Sequence, residues 1–237
     1  MKAFIISDVF NKDSLLGVQQ VILSANGSDL DFHILQATTP NTLDYYLTEL
    51  FDNLEWTYPE KEPILNQDLK LLLSPYKAND ISKVFACTLS HARLWKMCSE
   101  LNEPIMILEH DALFTNKFNW NKLKDKFTGG VLGLNNPRGA TRRASVFHAK
   151  VLDGASNTKG RAVITCPWID DKTIPQGIAG NSAYIIKPHA ARALLDKLME
   201  LGGWPNDALM CNQLFPWLQV VYPYYTTVQG IKSTTTS

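Results

Sequence analysis

Three consecutive residues, Glu109-His110-Asp111, close the apolar run Pro104-Ile-Met-Ile-Leu108 and carry the sharpest chemistry in the chain. Carboxylates at i and i+2 of an extended segment project to the same side. There they can meet one hard divalent cation through oxygen ligands. Such a cation neutralises a diphosphate, which leaves poorly unless its developing charge is stabilised. In an open parallel sheet, ligands collect at the carboxyl ends of the strands. The plainer reading of Glu-x-Asp after a strand is a turn or a helix cap.

The elements that must position this turn are legible in outline. Ala3 to Ile6 reads as a buried strand. Asp13 is placed to cap a helix through Leu15, Leu16, Val21 and Ile22 that stops at Asn26-Gly27, and the FHIL run from Phe32 reads as a second strand. Strand, helix and strand in that order predict a parallel pair. Between Trp56 and Pro75 three prolines interrupt any long element, which predicts a surface excursion with one short helix around Asp68 to Leu73. Asn79-Asp80 caps a helix to about Leu101, with Ile81, Val84, Phe85, Thr88, Ala92 and Trp95 on one stripe. The unbroken apolar run before Glu109 predicts a strand covered on both faces.

Further strands are expected at Val131 to Leu134, at Ser182 to Lys187 and at Trp217 to Tyr222. A helix opened by Pro188 should end at Gly202-Gly203. Residues 135 to about 176 are polar and rich in Gly, Asn, Arg and Pro. They read as a long loop, with room for a hairpin, and a loop of that length is usually functional or mobile.

The stretch Ala86-Cys-Thr-Leu-Ser-His-Ala-Arg-Leu-Trp95, followed by Ile107-Leu-Glu-His-Asp-Ala-Leu113, resembles glycosyltransferase family 25. That family shows a Leu-Ser-His-x-x-x-Trp helix and then an apolar strand ending in Glu-Asp-Asp-Ala. Two more blocks match in order, Gly180-Asn-Ser-Ala-Tyr-Ile-Ile186 with the helix after it, and Trp204-Pro-Asn-Asp207, so the likeness spans roughly residues 80 to 230. The family's Asn-Leu-x-x-Arg-x-x-Arg pattern after the first strand is replaced by Ser7-Asp-Val-Phe-Asn-Lys-Asp13, and His110 stands where the middle acid would be.

The resemblance implies an α/β, Rossmann-like nucleotide-sugar transferase (GT-A type) fold with a mostly parallel central sheet. It implies a UDP-sugar or related donor, and Mn²⁺ or Mg²⁺ held by Asp111 and Glu109. It implies one catalytic domain over 1–237, built from a βαβ unit at 1–55 and the family-like region at 80–230.

An inverting transfer needs a base within reach of the acceptor hydroxyl. Asp207 matches a family position, although a carboxylate there also suits a helix N-terminus. Asp170 and Asp171, on the loop before Gly180, are the runners-up. Ser90, His91, His110, Asn181 and Ser182 are candidates for donor or substrate contact. His91 reads equally as a buried core histidine, Ser90 as a packing residue, and Trp95 as core. Arg138, Arg142, Arg143, Lys150, Lys159 and Arg161 face the single acid Asp153 in a locally basic stretch. It reads as a solvated surface, or as a lid whose Arg138, Arg142 and Arg143 clamp an anionic partner through planar guanidinium forks.

Composition narrows the class. Of 237 residues, 45% are hydrophobic and 19% charged, ordinary for a globular chain, and 23 basic residues balance 23 acidic ones. A polyanionic partner must therefore be met by a local patch. The apolar start is broken by Ser7 and Asp8, too early for a signal peptide, and no run reaches the roughly 18 apolar residues of a spanning helix. The expected place is the cytoplasm, that of a host cell if the chain is phage-borne. Cys87 and Cys98 sit about 16 Å apart along one helix, too far for a disulfide, and four thiols are expected. Three functions stay open: transfer of a hexose to a saccharide such as lipopolysaccharide core, transfer to a hydroxylated pyrimidine in DNA, and binding of a nucleotide or glycan without catalysis. The oligomeric state is left open.

Overall fold

The computed structural model describes residues 1–76, 78–138 and 143–231. Among these residues the chain forms, in order, β1 (Lys2–Ser7), α1 (Lys12–Ser24), β2 (Asp31–Gln36), α2 (Leu43–Leu50), β3 (Ile64–Asn66), β4 (Leu71–Leu73), α3 (Ile81–Leu101) and β5 (Ile105–Glu109). There follow β6 (Ala112–Phe114), β7 (Val131–Gly133), α4 (Ala144–Ala155), β8 (Ala162–Thr165), β9 (Ala183–Ile186), α5 (Pro188–Leu201), α6 (Asn206–Leu209), β10 (Leu218–Tyr222) and β11 (Thr226–Val228). Seven strands make the central sheet, in the order β2-β1-β5-β9-β7-β10-β8. The pairs β1–β2, β1–β5 and β7–β10 are parallel, whereas β9 and β8 run against their neighbours. Five strands therefore point the same way, and the expected α/β architecture with a mostly parallel sheet is the one observed.

Strand periodicity explains the two cores. Phe4, Ile6, Ile105, Ile107, Tyr184 and Ile186 pack on one face against α3 and α5, together with Leu89, Trp95 and Leu194. The alternate residues Ala3, Ile5, Met106, Leu108, Ala183 and Ile185 pack on the other face against Val18 and Val21 of α1 and against Phe118 and Phe127. Ile105, Met106, Ile107 and Leu108 are fully buried, each contributing about 1.5–3 kcal/mol by leaving water. The turn after β5 thus stands on a strand whose first four residues are fully buried. No helix among the described residues is long and apolar enough to cross a membrane, and all four cysteines are free.

Several local expectations are corrected. The α1 cap is Asn11, not Asp13: Asn11 is extended, and its side chain accepts from the backbone N–H groups of Asp13 and Ser14. Residues around Asp68 to Leu73 form no helix. Leu71 and Leu73 are buried while Leu72 faces outward, a period of two that belongs to β4, which pairs with β3 as a hairpin. The segment between 135 and 176 is not one loop but holds α4 and the edge strand β8. Phe147, Val151 and Ala155 bury one stripe of α4.

Candidate active site

A cavity of about 550 Å³ opens where β1, β2 and β5 end, and α3 forms one wall. Asp8 and Phe10 follow β1, Thr38 and Pro40 follow β2, and Glu109, His110 and Asp111 follow β5. Both acids of the turn therefore face one cavity, at the place where α/β sheets bind ligands.

Glu109 continues the odd face of β5 and so points toward α3. Its Oε1 lies 3.3 Å from His91 Nε2, and its backbone N–H donates to the Ser182 carbonyl at 2.8 Å. His91 is fully buried, with Nδ1 2.9 Å from the Tyr184 hydroxyl, which also receives the Trp95 indole N–H at 2.9 Å. One proton arrangement satisfies every group: Trp95 donates to Tyr184, Tyr184 to Nδ1, and the Nε2 proton to Glu109. Burial pushes the Glu109 carboxyl upward, but the His91 hydrogen bond and the nearby His91 and His110 outweigh it and hold it below its ordinary value. His110 lines the same cavity; burial lowers its pKa, against the pull of Glu109 and Asp8.

Asp111 is the opposite case. Burial first, and then the charge of Glu109, push its carboxyl up to about 7. Its Oδ1 is buried without a hydrogen-bond partner. A buried carboxylate oxygen in that condition is costly unless a counter-charge reaches it.

The backbone of the turn is held from beneath. Gln229 donates its backbone N–H to Asp111 O at 2.7 Å and its side-chain amide to the carbonyls of Ala112, Gly17 and His110 at 2.7, 3.1 and 3.2 Å. Gly17 lets α1 approach: a Cβ there would stand 2.4 Å from the His110 carbonyl oxygen. Ser90 is also a positioning residue, accepting from the Thr38 N–H at 2.8 Å and donating to Ala86 O at 3.0 Å.

A second cavity, about 270 Å³, is lined by Tyr58, Tyr76, Arg143, Asp170, Gly180 and Asp207 among others. The Asp207 side chain is exposed to it, and the partial loss of water among the surrounding protein, followed by the charge of Glu109, raises its carboxyl above the ordinary value. The Tyr76 hydroxyl is pushed up by Asp207, by burial, and then by Cys87 and Glu109, so it feels the acids of both cavities. Cys87 lines the first cavity, and burial with the charges of Glu109, Asp207 and Asp111 raises its thiol well above the usual range.

The other candidates are placed as follows. Asp170 pairs with Arg143 at 2.7 Å, and both line the second cavity. Asp171 lines neither cavity; its carboxylate closes a local turn on the N–H and hydroxyl of Thr173 at 2.8 and 2.7 Å. Arg138 also lines neither cavity, and Arg142 lies outside the described residues. Asn181 and Ser182 lead into β9 beside Glu109, and Asn181 Oδ1 and Nδ2 and Ser182 Oγ are buried without hydrogen-bond partners. Sequence reasoning passed over Phe10, Tyr58, Tyr76, Cys87 and Gln229. It also passed over Gly17, whose signal was a glycine inside a helix, where the residue costs about 1 kcal/mol relative to alanine and so marks a close approach.

The profile described as glycosyltransferase family 25 (LPS biosynthesis protein) matches residues 4–210. No curated protein matches the sequence. Among solved structures, an active-site mutant of LgtC is 11% identical with a TM-score of 0.41, over 91% of this chain and 70% of that one. Mouse xyloside xylosyltransferase 1 is 9% identical with a TM-score of 0.40, over 92% and 84%. The galactosyltransferase LgtC with donor and acceptor sugar analogs is 9% identical with a TM-score of 0.40, over 91% and 70%. Likeness at this level carries no residue correspondence.

Proposed function

The chain belongs to glycosyltransferase family 25, and from that premise we propose that it moves a hexose from a nucleotide-sugar donor to a hydroxyl of a saccharide such as lipopolysaccharide core. The observation that carries this reading is the convergence of Glu109 and Asp111 on one cavity, with Asp111 Oδ1 buried and unpartnered. That oxygen and the Glu109 carboxylate are hard donors and fit Mn²⁺ or Mg²⁺. When bound, such an ion supplies charge neutralisation for a departing diphosphate.

The remaining work falls to the chain's own residues. The cavity extends from the acidic turn to Phe10, which is 90% exposed and offers a flat face for a nucleobase of a UDP-type donor, and to the Thr38-Thr39-Pro40 corner. His91 fixes the direction of Glu109. In the second cavity Asp207 takes the acceptor proton, a role its raised pKa favours. Asp170 and Asp171 suit that role less, being held by Arg143 and by the Thr173 turn. With Asp207 as a base that deprotonates the acceptor rather than a nucleophile that attacks the sugar, the transfer is a single displacement with inversion. Tyr58 and Tyr76 supply aromatic walls for the acceptor sugar. The chain acts as one catalytic domain.

No observation favours DNA as acceptor. Of the basic stretch, Arg143 is paired with Asp170, and Arg161 lies over the Tyr225 ring, 3.6 Å from its centroid, with its guanidinium on the Pro223 carbonyl. Offering oligosaccharide and hydroxymethylated DNA side by side, with a panel of nucleotide sugars and Mn²⁺, tests the reading. A hexose mass added to the oligosaccharide is expected; addition to DNA alone contradicts the acceptor.

A further inference from the structure

Among the described residues one mixed group of metal-ligating side chains comes together: Cys87, His91 and Glu109, whose donor atoms all lie within 4.8 Å of one another. Cys87 and His91 are four residues apart on α3 and so stand one above the other on the same helix face. The 3.3 Å between His91 Nε2 and Glu109 Oε1 matches the separation of about 3.3 Å between two ligands each about 2.0 Å from a tetrahedral ion. The Tyr184 hydroxyl on Nδ1 is the kind of outer partner that orients a ligating imidazole. Cys98, Cys166 and Cys211 are buried, but Cys87 is partly open and lines the larger cavity, so an ion has a path to it.

We propose that Cys87, His91 and Glu109 form a second cation site, for a thiophilic divalent ion such as Zn²⁺. The sulfur, nitrogen and oxygen donors suit a softer ion than the oxygen pair of the acidic turn. Because Glu109 belongs to both sets, an ion held here withdraws Glu109 from the hard site and acts as an inhibitor. Binding releases the Cys87 thiol proton to solvent as the sulfur–metal bond forms. His91 then binds through Nε2 as the Nδ1–H tautomer, and the Tyr184 hydroxyl rotates its own proton away so that its oxygen accepts the hydrogen bond from Nδ1.

The test titrates the metal-free chain with Co²⁺ and reads the thiolate-to-cobalt charge-transfer band. The band should saturate at one Co²⁺ per chain, bleach on addition of Zn²⁺, and persist in Asp111→Asn. It should vanish in Cys87→Ser, a near-isosteric change at a partly open position. Glu109→Gln should weaken Co²⁺ about tenfold or more. No band in the wild-type chain, or a band that survives in Cys87→Ser, overturns the proposal. Unchanged Co²⁺ affinity in Glu109→Gln removes the shared ligand and with it the inhibition. Turnover is not read, so the result stands apart from whether the chain transfers sugar.

Discussion

Asp111 and Glu109 are neighbours with opposite fates, and environment alone separates them. Glu109 has His91 as a partner and stays below its ordinary pKa; Asp111 Oδ1 has none, and burial with the charge of Glu109 lifts that carboxyl to about 7. Asp111→Asn removes the charge and keeps the shape. Transfer should fall by about 10²-fold or more, while the thermal midpoint in EDTA stays at or above that of the wild type, because a buried unpaired carboxylate is gone. Near-normal turnover in that variant would remove the metal assignment. Asp207 makes a different prediction. As a general base it works only when deprotonated, so activity is present above its folded pKa and lost as pH falls through it. Since that pKa is raised above 3.8, the acid limb of kcat/KM should lie above the ordinary aspartate range. Asp207→Asn should lower kcat by about 10²–10⁴-fold. A variant that keeps the wild-type rate and acid limb shows the base to be elsewhere.

The acidic turn is held as much by what lies beneath it as by its own strand. Gly17 allows α1 to touch the His110 carbonyl, and Gln229, just after β11, ties three carbonyls together. On an open helix face Gly→Ala stabilises by up to about 1 kcal/mol. Gly17→Ala should instead cost about 1–3 kcal/mol through forced contact, read as a drop in thermal midpoint with reduced activity; a stabilised, fully active variant contradicts this packing. Gln229→Ala should lower activity more than stability, measured on the same preparation. How much of this was legible depended on whether a signal was local. The β5 run and the Asp80 cap of α3 were, because burial on both faces and a capping carboxylate leave marks in adjacent residues. The α4 helix was missed because Arg143, in the left-handed region, precedes it with no capping side chain, and its Phe147-Val151-Ala155 stripe sits between polar flanks. The β3–β4 hairpin was read as helix because three leucines in a row hide a period of two. Gln229 left no signal: its partners lie 117 to 212 residues away.

On the scale of the molecule, the sheet order sets the chemistry. β1, β2 and β5 lie side by side and end together at the larger cavity, while the opposed strand β9 brings Asn181 and Ser182 in beside Glu109. That half of the architecture followed from a strand–helix–strand pattern and the family blocks. The reversal of β9 did not, because strand direction depends on how distant segments cross. Chelation with EDTA should stop transfer, and Mn²⁺ or Mg²⁺ should restore it; indifference to chelation points to a metal-independent mechanism. The most direct measurement is calorimetric titration of a panel of nucleoside diphosphates into the wild-type chain and Asp111→Asn, each with and without Mn²⁺. The account predicts that one nucleotide binds the wild-type chain only when Mn²⁺ is present, and that Asp111→Asn loses that gain. Equal binding with and without the ion, unchanged by the substitution, would contradict it.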